Sequence, residues 1–148
     1  LTAKGWLLDT NVVAALIHPK GAPSVKGWAA SVDEGKLFLS ILTLGEYEKG
    51  IHNLPEDDAR RVQIGMIRDG LAHRFHGRIL PVSDAVVRRW GIVTGTIRRL
   101  TGHPSPVIDT LLAATALEQG LTLVTRNVQD VRHSGAAILN PWDAPKEG

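Results

Sequence analysis

Apolar residues in this chain form short runs that alternate with longer stretches of helical period. Lys4 to Asp9 reads as a short buried strand ending in a carboxylate, and Asn11 to Ile17 as a helix capped by Thr10. Two prolines and a glycine mark His18 to Pro23 as a loop, followed by a helix over Val25 to Glu34. Leu37 to Leu42, rich in Leu, Ile and Phe, predicts a strand, with a helix from Leu44 to about Leu54. Pro55 suits a helix start, with Glu56, Asp57 and Asp58 in the first turn and an end near Ala72. Ile79 to Val82 predicts a strand end or edge, because Pro81 cannot donate to a ladder. Asp84 to Leu100 is helical in pattern. A further helix opens at Ser105-Pro106 and closes near Gly120. Leu121 to Thr125 and Ala136 to Leu139 complete the strands, and Asn140-Pro141 stops the last. Strands alternating with helices imply an α/β fold whose parallel sheet is covered on both faces.

Composition changes this picture little. The 148 residues fit one domain, spanning residues 1–148, and a domain of that size buries about 68–70% of its unfolded surface. The longest apolar run, Val12 to Ile17, has six residues, far short of the ~18 of a membrane span. Asp9 interrupts the only early apolar stretch, so no signal-peptide pattern is expected and a cytoplasmic location is the default. The absence of cysteine removes disulfides, thiolate zinc sites and cysteine nucleophiles. A net charge of +2 permits a nucleic-acid partner without arguing for one.

The candidate chemistry lies where strands hand over to helices. Asp9, Glu46, Asp109, Asn127 and Asp130 all fall at or near such junctions, although they are far apart in sequence. In an open α/β sheet these junctions collect along one edge, where ligands bind. Carboxylates meeting there repel one another unless a cation intervenes, and oxygen-only ligands suit Mg²⁺ or Mn²⁺. Each residue also has an ordinary structural reading. Asp9 can cap the following helix. Thr43-x-x-Glu46 matches a capping box, which competes with the pocket for the Glu46 carboxylate. Asp109 suits the first turn of a helix capped by Ser105 with Pro106 at N1, while Ala113 and Ala116 on its face allow close packing and partial burial. Asn127 and Asp130 fit turn and surface-helix roles. Thr10, Asn11 and Thr125 sit where they can hold carboxylates by hydrogen bonds.

The ordered segments Leu7-Leu8-Asp9-Thr10-Asn11-Val12, Leu39 to Glu46, Gly77 to Val82, Ile108 to Ala116, Leu121 to Asn127 and Leu139-Asn140-Pro141-Trp142 span nearly the whole chain. They resemble the PIN-domain ribonucleases, specifically VapC-type toxins of type II toxin–antitoxin modules, in the FitB-like branch. The resemblance implies a three-layer αβα sandwich with a central, mainly parallel sheet. It implies an acidic pocket holding Mg²⁺ or Mn²⁺, endoribonuclease activity on RNA, a homodimer, and neutralisation by a cognate antitoxin. Asp9, Glu46 and Asp109 match the family's three main acids. At the fourth position the branch often has Asp where this chain has Asn127; related members have Asn there and an acid three residues later, as Asp130 is here. The departure bears on the number of metal ions more than on the function.

Other chemistry is weaker. Arg88, Arg89, Arg98 and Arg99 do not form one patch and read as a solvated helix face. Arg126, beside Asn127, suits either a substrate phosphate or an ion pair with a pocket acid. His73-x-x-His76 lacks further ligands for zinc. Leu16, Ile17, Ile51, Leu54, Met66 and Ile67 suit either a dimer or antitoxin groove or the core, and the core is the preferred reading. A catalytically weak PIN-fold binding module is the competing reading, and the intact acid set counts against it. A haloacid-dehalogenase-type phosphatase needs a second acid where Asn11 stands, and a receiver-like domain lacks its paired acids here.

Overall fold

The computed structural model describes residues 4–143. Five strands form one parallel sheet in the order β3-β2-β1-β4-β5, with β1 at Trp6–Leu8, β2 at Leu37–Ser40, β3 at Ile79–Leu80, β4 at Thr122–Val124 and β5 at Ile138–Leu139. The helices are α1 (Thr10–Ile17), α2 (Pro23–Ala30), α3 (Ile41–His52), α4 (Arg60–Arg74), α5 (Asp84–Thr101), α6 (Val107–Gln119) and α7 (Val128–Val131).

Strand alternation sorts the core into two layers. Leu8, Leu37, Leu39 and Val124 face a cluster with Val12 and Val13 of α1, Val25 of α2, and Leu71 and Phe75 from α4 and its end. Leu7 and Leu123 face the opposite cluster, with Leu112, Ala113 and Ala116 of α6 and Val131 of α7. This is a three-layer αβα arrangement, as the resemblance implied. Gly5 is required where the chain enters β1, because a Cβ there would lie 2.5 Å from the Lys36 carbonyl oxygen. Gly120 ends α6 in the left-handed region at φ 67°.

Several element ends differ from the sequence expectations. The first helix starts at Thr10 and is capped by Asp9 rather than Thr10, since the Asp9 carboxylate accepts the Thr10 N–H at 2.6 Å. α2 begins at Pro23 and ends at Ala30, and Glu34–Lys36 forms a separate 3-10 turn whose cap is Asp33. β2 ends at Ser40, where Ser40 turns its hydroxyl to the Leu42 N–H and starts α3 three residues early. Thr43 therefore lies inside the helix, and the capping box with Glu46 does not form. Pro55 to Asp58 is a turn rather than a helix start. The Asp58 carboxylate binds the Arg60 N–H and guanidinium, and α4 begins there. Pro106 takes the cap position of α6, so Ser105 lies outside it, and the Ser105 hydroxyl is buried without a hydrogen-bond partner among the described residues.

Candidate active site

The strand order reverses at β1: the chain goes from β1 to β2 on one side, then returns to place β4 on the other. Such a switch point opens a crevice at the carboxyl ends of the two diverging strands. Asp9 follows β1, and Thr125 to Asn127 follow β4. The first turn of α6 brings Asp109 to the same place, and the second turn of α3 brings Glu46.

Asp9 is buried, with 5% of its surface exposed. Its Oδ1 accepts the Thr10 N–H, while Oδ2 accepts the Thr125 hydroxyl at 2.7 Å and the Asn11 amide at 3.3 Å. The Thr125 bond is itself buried and joins positions 116 residues apart in sequence. Burial raises the Asp9 carboxyl above its ordinary range, and the hydrogen bonds from Thr125 and Thr10 work against that rise. The Asp9 carboxylate thus caps α1, and its Oδ1 still has a lone pair for another ligand.

Glu46, free of the capping box, accepts the Thr10 hydroxyl at 2.7 Å. Thr10 Oγ1 also lies 3.0 Å from Thr43 Oγ1. Because Thr10 has one hydroxyl proton and Glu46 receives it, Thr43 must donate to Thr10. The result is a short relay, Thr43 to Thr10 to Glu46, that fixes the Glu46 carboxylate. Thr43 was missed as a site residue. Its i,i+3 spacing from Glu46 was visible in the sequence, but it fitted the capping box equally well.

Asp109 is half-buried, and its pKa is pushed up to about 6. Burial is the largest cause, followed by the charges of Asp9 and Asp130, with Glu46 adding a smaller contribution. The Asn127 side chain opposes the rise. It lies close enough to favour the charged form without the geometry of a full hydrogen bond. The small residues Ala113 and Ala116 are fully buried beneath this face of α6, as the sequence suggested.

Asn127 and Asp130 both stand at the rim, exposed, at the cap and in the first turn of α7. The Asn127 N–H donates to Thr125 Oγ1 at 3.0 Å, so the loop after β4 is tied to the hydroxyl that holds Asp9. Arg126 does not pair with a pocket acid. Its guanidinium stacks 5.0 Å from the centre of the Trp142 ring, near the chain's last described residues. Its N–H makes a long contact, 3.5 Å, with Asn11 Oδ1.

The donor set is all oxygen and mutually repulsive, which suits a hard divalent cation. Among the described residues, however, no three acids or histidines converge tightly enough to cage an ion as they stand. The hydrogen bonds explain the spacing: Asp9 is drawn toward Thr125 and Glu46 toward Thr10. Closing around a cation requires side-chain rotation, which three of these four acids, being only partly buried or exposed, can make.

A parallel sheet with acids at its switch point defines a class of α/β hydrolytic sites, and comparison with known proteins gives the family. The chain belongs to the PIN-domain family, whose model matches residues 6–132. It is similar to Toxin FitB of Neisseria gonorrhoeae (strain ATCC 700825 / FA 1090), with 28% identity over 136 residues, covering 92% of this chain and 97% of that protein. It is also similar to VapC ribonuclease Y4jK of Sinorhizobium fredii (strain NBRC 101917 / NGR234), with 26% identity over 137 residues, covering 93% and 97%. The crystal structure of FitAcB from Neisseria gonorrhoeae matches with a TM-score of 0.81 at 28% identity, covering 93% of this chain and 99% of that one.

Proposed function

We propose that this protein is a metal-dependent endoribonuclease toxin that hydrolyses RNA phosphodiester bonds and is neutralised by a cognate antitoxin. The observation that carries this reading is the gathering of Asp9, Glu46 and Asp109 at the switch point of a PIN domain, close enough for their charges to oppose ionisation of Asp109. Relatives named as a toxin and as a ribonuclease support it.

Asp9 and Asp109 are the residues that would hold Mg²⁺ or Mn²⁺, with Glu46 binding directly or through water. A bound ion of this kind supplies an activated water, a neutralised phosphate and a stabilised leaving oxygen. Thr125, Thr10 and Asn11 orient Asp9, while Thr10 and Thr43 orient Glu46. Asn127 or Asp130 positions a water, or a second ion, at the rim. The family resemblance points to products with 5′-phosphate and 3′-hydroxyl ends, whereas a 2′,3′-cyclic phosphate product would mean attack by the RNA's own hydroxyl. The protein acts as a homodimer in the cytoplasm.

The test is cleavage of purified structured RNAs with Mg²⁺ or Mn²⁺, beside Asp9→Asn and an EDTA control. Cutting that needs metal and is lost in Asp9→Asn is expected. Cutting that survives the substitution would overturn the assignment of the site. A folded, metal-binding protein inert toward every RNA would favour a binding module instead.

A further inference from the structure

A groove of about 400 Å³ runs along α3 beside the acid site, a volume in the range of small-ligand sites. Glu46 forms part of its wall, so the groove and the candidate active site are continuous. Two neighbouring rows of α3 face it. Ile41, Gly45 and Lys49 form one row at i,i+4 spacing, and Leu42 and Glu46 belong to the other; Ile108 of α6 closes the far side. Three features of this surface bear on what it can hold.

The groove has an apolar floor. Ile41 is 45% exposed, which leaves a large aliphatic side chain open to solvent next to a pocket of acids. The groove is also kept open by missing side chains. A Cβ on Gly45 would meet nothing within 4 Å, so no packing requirement explains glycine there. Glycine inside a helix costs about 0.5–1 kcal/mol relative to alanine, and the space it leaves is groove space. The third feature is a cation. Lys49 stands one turn beyond Glu46 on the lip of the groove and, like the other described lysines, has no ion-pair partner among the described residues.

We propose that this groove receives the nucleotide next to the scissile phosphate, its base lying on Ile41, Leu42 and Ile108 and an adjoining phosphate meeting Lys49. This assignment rests on the endoribonuclease reading above. Charge selects the occupant: a lone cation one helical turn from an acid site matches a polyanionic strand that crosses that site. Lys49 lies about 4.5 Å along the helix axis from Glu46, within side-chain reach of a neighbouring phosphate. Lys49 is a positioning residue, and Gly45 sets how large a base can enter.

The test measures binding of a fluorescently labelled pool of random-sequence single-stranded oligoribonucleotides by anisotropy, in Mg²⁺, on the Asp9→Asn background. Lys49→Ala should weaken binding roughly threefold to tenfold and reduce the slope of log K against log salt by about 0.7, the value for one lost phosphate contact on a single strand. Gly45→Leu should weaken binding while leaving thermal stability unchanged or higher, because the helix gains propensity and nothing is displaced. Loss of affinity without loss of fold therefore identifies occupancy of the groove. Affinity and salt slope unchanged in both variants would overturn the proposal while leaving the nuclease reading intact, and would point to a protein segment as the occupant. Failure of the Asp9→Asn parent to bind any RNA would overturn both.

Discussion

Asp109→Asn should make the metal-free protein more stable while abolishing its activity. In the folded protein the Asp109 carboxyl titrates at about 6, against 3.8 for an unperturbed group. Between those values the unfolded chain has released its proton and the folded chain has not, so stability falls as pH rises and the deficit is complete above about 6. Taken at face value a shift of that size corresponds to about 3 kcal/mol. Asp109 is only half-buried, and solvent screening reduces this to about 1 kcal/mol. The favourable place of its charge near the α6 N-terminus, worth about 0.3–1 kcal/mol, offsets part of the gain. Asparagine keeps the shape and mimics the protonated form. In EDTA at pH 8, Asp109→Asn should therefore melt up to about 3 °C higher than the parent, given about 2–4 °C per kcal/mol for a chain of this size. At pH 5 only about half of this deficit has developed, so the difference should shrink there, and it should close only below the unperturbed value of 3.8. With saturating Mn²⁺ at pH 8 the order should reverse, because only the parent gains from binding. Calorimetry at the two pH values, with and without metal, checks all of this. A variant that melts lower than the parent in EDTA at pH 8 by as much as at pH 5 would refute the claim that Asp109 is held at an electrostatic cost.

The two threonines that hold the acids make separate predictions. Thr125→Val removes the hydroxyl donor from buried Asp9 and the acceptor for the Asn127 N–H. It should cost about 1–3 kcal/mol in urea unfolding, as expected when a buried polar group loses its partner; a loss below a few tenths would show that water replaces the hydroxyl. Thr10→Val leaves the buried Thr43 hydroxyl without its partner, so it should also cost about 1–3 kcal/mol in unfolding, and it should lower kcat/KM roughly 10–100-fold by freeing Glu46, with Thr10→Ser restoring most of both. Equal activity in the valine and serine variants would show that the relay from Thr43 does not position Glu46.

Much of the site could be read from the chain because its residues are tied to strand ends. The apolar triplet before Asp9 and the apolar strand before Thr125 fix two of the junctions, and an alternating α/β order brings such junctions to one edge. Local signals were less able to decide between caps. Ser40 and Thr43 are both good cap residues three positions apart, and local hydrogen bonding alone favours the Thr43 box because Glu46 completes it. The outcome is set by β2, which ends at Ser40 where its partner β3 ends at Leu80, and by Thr10, which offers Thr43 a buried partner from another helix. In the same way Pro55 and three acids resemble a helix start, yet the Asp58–Arg60 contact delays α4 to Arg60.

The sequence by itself determined the element order, the parallel sheet and the positions of Asp9, Glu46 and Asp109 at strand-to-helix junctions, because hydrophobic period and turn chemistry act over a few residues. The tertiary structure alone decided which oxygen each threonine holds, that Arg126 lies on Trp142 rather than on an acid, and that burial, together with the neighbouring acids, raises the pKa of Asp109. Those outcomes depend on through-space distances between groups as much as 116 residues apart, and charge and hydrogen bonding act on distance rather than on order along the chain.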